Sequence, residues 1–209
     1  MDNPKKIPET AVSAVIRLGK LSLQFGRTKR ATYHEDRKTP ESDTDHTVML
    51  SMVACAFAKR FTPTLDIGKI AQYALIHDLV EVYAGDTPTL RFSTPKMRRE
   101  KVAREQKAFL KIEAEFKDEL PWVPETIREY ESLKSPEARF VKTIDKSLPG
   151  ITHLLNGGIT IHELGQRATA LDITKELREV MANTYGEDQS EALGLFDEII
   201  FKIKKEILS

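Results

Sequence analysis

Two side chains that can bind a cation stand in the most apolar segment of the chain. His77 and Asp78 follow the run IAQYALI, and the segment continues as LVEVY. Burying a bare carboxylate costs several kcal/mol, so an aspartate at this position must be paired, protonated or bound to a metal. For an isolated His–Asp pair, the simpler interpretation is a satisfied polar pair, such as Asp78 bonded to an arginine.

Three further polar residues favour a metal site over that interpretation. His46 and Asp145 each fall on the apolar stripe of their own predicted helix, where a core residue is expected. Glu81 follows His77 by four positions and Asp78 by three, so one helix face would present all three side chains. Two imidazoles and two carboxylates from three helices, His46, His77, Asp78 and Asp145, therefore form a set that could hold a cation.

The chemistry of this donor set narrows the choice of ion. Two nitrogens and two hard oxygens suit one divalent ion of intermediate character, namely Mn²⁺, Co²⁺, Fe²⁺, Ni²⁺ or Zn²⁺, and the lack of thiolates disfavours a structural zinc site. Four protein ligands on an ion that prefers six would leave positions for water and substrate. Such an ion also lowers the pKa of its bound water, which is the basis of metal-assisted hydrolysis at neutral pH.

The composition is that of an ordinary globular protein. Lys and Arg number 32 and Asp and Glu 32 among 209 residues, so the formal net charge is zero and argues against nucleic-acid binding by bulk electrostatics. The lone Cys55 cannot form an internal disulfide, which fits a reducing cytoplasm. No segment resembles a signal peptide or a membrane span of about 20 apolar residues. We expect a soluble cytoplasmic protein without a membrane partner.

The apolar spacing is helical almost throughout and predicts one all-α domain covering residues 1–209. Helices are expected at about 11–23, 46–60, 67–84, 95–117, 124–133, 135–148, 168–184 and 191–208. A polar, basic loop is expected between the first two, ending in Asp43, Thr44 and Asp45, short polar side chains of the kind that cap a helix. No sustained alternation indicates a strand, and Gly85 to Thr94 is expected to be a loop.

The same spacing predicts which positions face the core and which face the solvent. One stripe of the first helix, with Gly19 beside it, is expected to face the core; it consists of Val12, Val15, Ile16 and Leu23. Val102 is expected on the inner side of the long charged helix. His153 and His162 flank the Gly157–Gly158 loop, where exposed positions are expected.

The order His46, His77-Asp78, Asp145 resembles the H…HD…D pattern of the HD-domain metal-dependent phosphohydrolases. Pro40 to His46 (PESDTDH) resembles the PESVxxH approach to the first ligand, with Asp43 where that pattern has valine. HDLVEVYAGDTP (77–88) resembles the HDxxExxxGDxP stretch of the bacterial 5′-deoxynucleotidase branch, and VKTIDK (141–146) is similar to the helix that carries the last aspartate. The resemblance covers about residues 15–148, and the ordered set with ExxxGDxP is specific.

The resemblance implies an all-α helical bundle of the HD-domain type, with the HD core at about 15–150 and C-terminal helices at about 168–208. It implies that His46, His77, Asp78 and Asp145 hold one divalent metal ion. Glu81 would orient or deprotonate the attacking water, and Asp86 would sit near the sugar at the mouth of the site. A basic residue in the preceding loop would hold the phosphate; Arg27 and Arg30 are both candidates.

The expected activity is hydrolysis of a small phosphate ester, a (deoxy)nucleoside 5′-monophosphate, to nucleoside and phosphate. Two alternatives stay open. The same cluster could act on a different phosphate substrate, such as a nucleoside triphosphate, a cyclic dinucleotide or an alarmone, or the chain could be a non-catalytic metal- or nucleotide-binding protein. The apolar face of the last helices could cap the bundle or form the interface of a homodimer.

Overall fold

The computed structural model describes residues 7–86, 95–163, 167–185 and 189–208 and confirms the all-α class. In these residues the helices are α1 (Glu9–Phe25), α2 (Asp43–Phe61), α3 (Ile67–Ile76), α4 (Glu81–Ala84), α5 (Pro95–Phe116), α6 (Trp122–Ser132), α7 (Pro136–Asn156), α8 (Ile159–Glu163), α9 (Arg167–Tyr185) and α10 (Ser190–Glu206). Two short strands, β1 (Lys29–Tyr33) and β2 (Pro40–Ser42), complete the fold. Within the described ranges no helix is both long and apolar enough to cross a membrane.

The core lies where α2, α3 and α7 pack against one another. Leu50, Ile70 and Ile144, one from each helix, are completely buried in this layer. α5 and α6 cover one side, while α10 lies along the other side of α7. Burial of apolar area stabilises this arrangement at about 25 cal/mol per Å². Since α2 carries His46, α7 carries Asp145 and the turn after α3 carries the His77-Asp78 pair, the packing of these helices also brings the polar side chains together.

The expected loop between α1 and α2 contains a β-hairpin, which corrects that prediction. β1 and β2 pair antiparallel, with Lys29 opposite Ser42. The end of α7 and the start of α8 hold the hairpin, since the Asn156 amide donates to the Tyr33 carbonyl (2.7 Å) and the Thr160 hydroxyl to the Ala31 carbonyl (3.3 Å). β1 and β2 have five and three residues, too few to show an alternating pattern. The side chains that bond to β1 lie more than 120 residues away along the chain.

α2 begins three residues earlier than the polar cap predicted. Ser42 is the N-cap: its hydroxyl accepts from the Asp45 amide (3.2 Å), and the Asp45 carboxylate accepts from the Ser42 amide (2.9 Å). This reciprocal pair is a capping box, which satisfies the free N–H groups of a helix start. Asp43 is thus the first residue of α2 instead of a cap, and its side chain is completely buried.

The single helix expected at 67–84 is wrong, because the chain leaves the α-helix at His77. α3 ends at Ile76, and a turn leads into the one-turn helix α4. Tight i to i+3 bonds make the turn, from the Leu79 amide to the Ile76 carbonyl (3.0 Å) and from the Glu81 amide to the Asp78 carbonyl (2.8 Å). Three-residue bonds rotate the side chains away from α-helical spacing. This local change is what lets Asp78 and Glu81 face the same cavity as His77.

α7 ends eight residues later than the sequence predicted. It continues through Pro149 and ends at Asn156, where Gly157 adopts the left-handed conformation (φ 72°) that closes many helices. The proline lies in the interior of the helix, where it removes one backbone donor without ending the helix. His153 is therefore a helical residue that is 4% exposed, which corrects its expected place in an exposed loop. His162, in α8, is exposed as expected.

α1 packs with the face opposite to the predicted one. Ala14, Leu21 and Phe25 are its buried residues. The stripe expected to face the core is exposed by 46% to 73%; it consists of Val12, Val15, Ile16 and Leu23. Both faces carry apolar side chains at helical spacing, so the spacing did not decide between them. Val102 of α5 is likewise 64% exposed, whereas Ile112 and Phe116 of the same helix are buried.

Candidate metal centre

Four side chains predicted as metal ligands meet in the core. His46 comes from α2, His77 and Asp78 from the turn after α3, and Asp145 from α7. One ligand atom of each lies within 4.8 Å of every other, in a part of the molecule that is nearly closed to solvent. The sequence distances between the three elements show that tertiary packing creates the cluster.

The hydrogen bond of His77 to the backbone directs its other ring nitrogen at two carboxylates. Its Nδ1 lies 2.9 Å from the Ala74 carbonyl, an acceptor, so Nδ1 carries the proton. The other ring nitrogen, Nε2, lies 2.9 Å from Asp78 Oδ2 and 3.7 Å from Asp145 Oδ1. Acceptors that face each other in a buried site repel unless a proton or a cation lies between them. This arrangement fits a metal ion.

His46 is oriented by a carboxylate that lies behind it. Glu41 Oε1 lies 3.4 Å from Nδ1, and the Thr32 hydroxyl donates to the other oxygen of Glu41. Nε2 then points at Asp145 Oδ1, 2.9 Å away. Burial opposes protonation of the ring, but the hydrogen bonds with Asp145 and Glu41 outweigh it and raise the pKa of His46 to about 9. A divalent cation between Nε2 and Asp145 would take the place of that proton.

The two ligand carboxylates are held in their ionised form. Burial would raise the pKa of Asp78, but His77 beside it keeps that pKa well below the usual range. Burial acts in the same direction on Asp145, and Lys146 and His46 again lower its pKa far below the ordinary value. Ionised carboxylates and imidazoles with a fixed tautomer are the forms that bind metals. The four residues therefore fit one divalent cation.

Glu81 lies beside this cluster in a different electrostatic state. It is buried, and its carboxylate reaches Arg30 Nη1 at 3.9 Å, too far for a hydrogen bond. Burial, followed by the like charges of Asp78 and Asp43, raises the pKa of Glu81 to about 9. A carboxyl group with a raised pKa next to ionised carboxylates is typical of a residue that carries a proton in catalysis.

Of the two candidate arginines, Arg30 is at the cluster and Arg27 is not. Arg30 Nη1 lies 2.8 Å from Asp78 Oδ2 and 3.1 Å from Asp43 Oδ1. Arg27 precedes β1, is exposed and does not line the cavity at the cluster. Asp86 is half-buried and does line that cavity, beside Glu81. Thr87 and Pro88, the end of the GDxP motif, lie outside the described residues.

A cavity of about 640 Å³ opens from the cluster between α5, α6 and α7. His77, Asp78 and Asp145 form its floor, and Lys142 and Lys146 of α7 line the wall. This volume lies within the usual range of about 300–1,000 Å³ for small-molecule sites. The arrangement can thus hold a cation at the bottom of a pocket that admits a ligand of the size of a nucleotide.

Four residues of the site were missed by sequence reasoning, although the spacing of two of them offered a signal. They are Glu41, Asp43, Lys142 and Lys146. Asp43 and Lys142 each precede a predicted ligand by three positions on the same helix, which places them on the ligand's side. Glu41 and Lys146 carried no such signal, because β2 was not predicted and an adjacent helical residue ordinarily faces elsewhere.

A family model and several curated relatives match this chain. A family model described as HD domain matches residues 24–198, which include every candidate site residue. The 5′-deoxynucleotidase of Vibrio parahaemolyticus is 27% identical over 156 residues, covering 70% of this chain and 78% of that protein. The 5′-deoxynucleotidase of Vibrio vulnificus is 28% identical over 154 residues, covering 69% of this chain and 77% of that protein. A 5′-deoxynucleotidase of Danio rerio is 33% identical over 129 residues, covering 60% and 61%.

Solved structures share the fold. A protein from Magnetospirillum magnetotacticum, described as a predicted metal-dependent phosphohydrolase, superposes with a TM-score of 0.71 at 24% identity, covering 94% of this chain and 96% of that one. A conserved hypothetical protein from Pyrococcus furiosus superposes with a TM-score of 0.58 at 21% identity, covering 89% of this chain and 99% of that one. Similarity at these identities concerns the arrangement of the helices, including the C-terminal ones.

Proposed function

The chain belongs to the HD-domain family, and on that premise we propose that it is a metal-dependent phosphohydrolase that removes phosphate from (deoxy)nucleoside 5′-monophosphates. The observation that carries the proposal is the orientation of His46 and His77. Each ring has its Nδ1 beside an acceptor and its Nε2 directed at a carboxylate, at the floor of a cavity that admits a nucleotide. A protein that only bound nucleotides would have no need for this donor set.

Each candidate residue has a role that follows from its place. His46, His77, Asp78 and Asp145 hold the ion, which when bound withdraws charge from the phosphoryl oxygens and makes water easier to deprotonate. Glu81 would orient that water and accept its proton. Its pKa of about 9 applies to the site without the ion, and the positive charge of a bound ion would favour the ionised form that this role requires.

Arg30 holds the phosphate. Its recorded ion pairs in the described part of the chain use Nη1, so Nε and Nη2 can donate to phosphoryl oxygens. Asp86 lies at the wall next to Glu81, where a hydroxyl of the sugar can be bound. Arg27 is exposed and does not line the cavity, so Arg30 is the candidate that fits the phosphate-binding role.

The choice of a nucleoside monophosphate rests on the relatives, three of which are named 5′-deoxynucleotidases. The cavity volume of about 640 Å³ also permits the larger phosphate substrates, since it lies well within the range of small-molecule sites. We keep the nucleoside triphosphate, cyclic dinucleotide and alarmone classes as the alternative substrates. The ion is one of Mn²⁺, Co²⁺, Fe²⁺, Ni²⁺ or Zn²⁺, and a cytoplasmic location agrees with the lone Cys55.

Phosphate release from a panel of nucleotides tests the proposal. The purified protein, loaded in turn with Mn²⁺ and Co²⁺, is incubated with deoxynucleoside and nucleoside monophosphates, triphosphates, cyclic dinucleotides and alarmones. We expect turnover of monophosphates, and a Glu81→Gln variant that retains the ion but loses at least about 100-fold in kcat. A metal-loaded protein inactive on every monophosphate would contradict the proposal, and turnover of another class would select one of the alternatives.

A further inference from the structure

Lys146 reaches the ion site through one shared carboxylate. Its Nζ lies 2.7 Å from Asp145 Oδ2, while the other oxygen of Asp145 faces Nε2 of His46 at 2.9 Å and Nε2 of His77 at 3.7 Å. A single carboxylate therefore separates the ammonium group from the place of the ion. The Lys146 side chain is 30% exposed, and the exposed part lines the large cavity.

The positive charge of Arg30 is already shared among carboxylates. Its Nη1 lies 3.1 Å from Asp43, 2.8 Å from Asp78 and 3.9 Å from Glu81. One guanidinium among three acidic groups offers little uncompensated charge to a phosphate dianion. A second cation next to the ion site would supply what Arg30 cannot, and Lys146 lies one carboxylate away from that site.

Lys142, one helical turn before Lys146, provides a contrast within the same cavity. Its Nζ lies 3.6 Å from Glu131 and 5.0 Å from the centre of the Tyr130 ring. These partners draw the ammonium group towards α6 and away from the ligand cluster. The two lysines thus share a helix, a cavity and a charge, but differ in their distance from the ion site.

Building on the proposed function, we propose that Lys146 binds the substrate phosphate at the ion site, together with Arg30. An ammonium group has three donors, and Asp145 is the acceptor recorded for this one among the described residues. When Asp145 shares its charge with a divalent ion, its hold on Lys146 weakens, because the ion competes for the same electrons. The remaining donors of Lys146 then face the phosphoryl oxygens.

Binding of inorganic phosphate to the metal-loaded protein tests this role without a nucleotide. The Mn²⁺-loaded wild type, Lys146→Met and Lys146→Arg are titrated with phosphate by calorimetry, and bound manganese is counted in each. Loss of a charge-assisted hydrogen bond should weaken phosphate binding ~10-fold or more in Lys146→Met. Lys146→Arg should recover part of the affinity, and both variants should retain one manganese ion.

Lys142→Met is the matched control and should weaken phosphate binding much less than Lys146→Met does. Lys146→Gln offers a second neutral variant if Lys146→Met does not fold. Phosphate affinity within twofold of the wild type in the folded neutral variant, an equal loss in Lys142→Met, or loss of the manganese would each overturn the inference. A wild type that binds phosphate but hydrolyses no nucleotide would refute the proposed function and leave the role of Lys146 standing.

Discussion

Arg30 and Asp43 form a buried ion pair at the edge of the ligand cluster, with Nη1 3.1 Å from Oδ1. The Asp43 side chain is completely buried, and that of Arg30 is 15% exposed. Burial, partly offset by Arg30, raises the pKa of Asp43 to about 6. The PESVxxH pattern that this segment resembles has valine where this chain has Asp43. Arg30 is therefore held here by a carboxylate that the pattern lacks. Asp43 thus joins the hairpin to the start of α2.

Replacement of Asp43 by asparagine should loosen Arg30 without removing the ion. Asparagine keeps the shape but withdraws the charge that fixes Nη1, so the guanidinium would lose its position relative to the phosphate. We expect kcat/KM for the phosphate ester to fall ~10-fold, with unchanged metal content. Steady-state kinetics and metal analysis measure both. An unchanged kcat/KM would show that Asp78 suffices to hold Arg30.

Replacement of Glu41 by glutamine should weaken metal binding. Glu41 Oε1 lies 3.4 Å from Nδ1 of His46 and helps to orient the ring that presents Nε2 to the ion. Loss of such a partner typically reduces metal affinity ~10- to 100-fold. Competition with a chelator of known affinity measures the change. Glu35→Gln, at an exposed glutamate in the same hairpin, is the control and should bind metal as the wild type does.

Single substitutions can distinguish the roles of Arg27 and Arg30. Arg30→Ala removes the guanidinium at the cluster and should lower kcat/KM ~100-fold, about the loss of a strong bidentate contact. Arg27→Ala changes an exposed side chain and should alter kcat/KM less than about twofold. Steady-state kinetics with one nucleoside monophosphate measure kcat/KM for both variants and for the wild type. A larger loss in Arg27→Ala would mean that the hairpin moves on binding substrate.

The helices that build the site could be predicted because each has a continuous apolar stripe. α2, α3 and α7 share the central layer of the core, so polar residues on their stripes had to meet or remain unpaired. His46 and Asp145 were identified on that ground. The prediction of the His77 region reached the right residues through the wrong local structure, since a turn, not an α-helical face, directs Asp78 and Glu81.

Features that depend on distant partners could not be predicted. The hairpin is held by Asn156 and Thr160, and the buried face of α1 depends on which neighbour covers it. Asp43 was assigned to a cap because an aspartate before an apolar stripe has that role in most helices. The partition into an HD core and C-terminal helices, and the question of a homodimer, remain predictions.

His153 should make the protein sensitive to mild acid. Burial among apolar residues, against a smaller opposing effect of Glu41, lowers the pKa of His153 from 6.5 to about 4. As the pH falls from 6.5, the unfolded chain takes up this proton before the folded one does. The free energy of unfolding therefore decreases between pH 6.5 and 4, by about 3 kcal/mol from this residue, and no further below pH 4.

Denaturant unfolding of wild type and His153→Phe at pH 7 and pH 4.5 measures that contribution. The wild type should lose more stability on acidification than the variant, because phenylalanine takes up no proton. Other buried acids contribute to both proteins and cancel in the difference. Equal losses in the two proteins would show that His153 is protonated in the fold at an ordinary pH.

Anomalous diffraction from a crystal of the cobalt-loaded protein tests the central claim most directly. We predict one strong peak per chain, about 2.0–2.2 Å from Nε2 of His46, Nε2 of His77 and a carboxylate oxygen each of Asp78 and Asp145. Glu81 should lie beside the ion without binding it directly. A peak at another place, or an ion without both histidines among its ligands, would contradict the account.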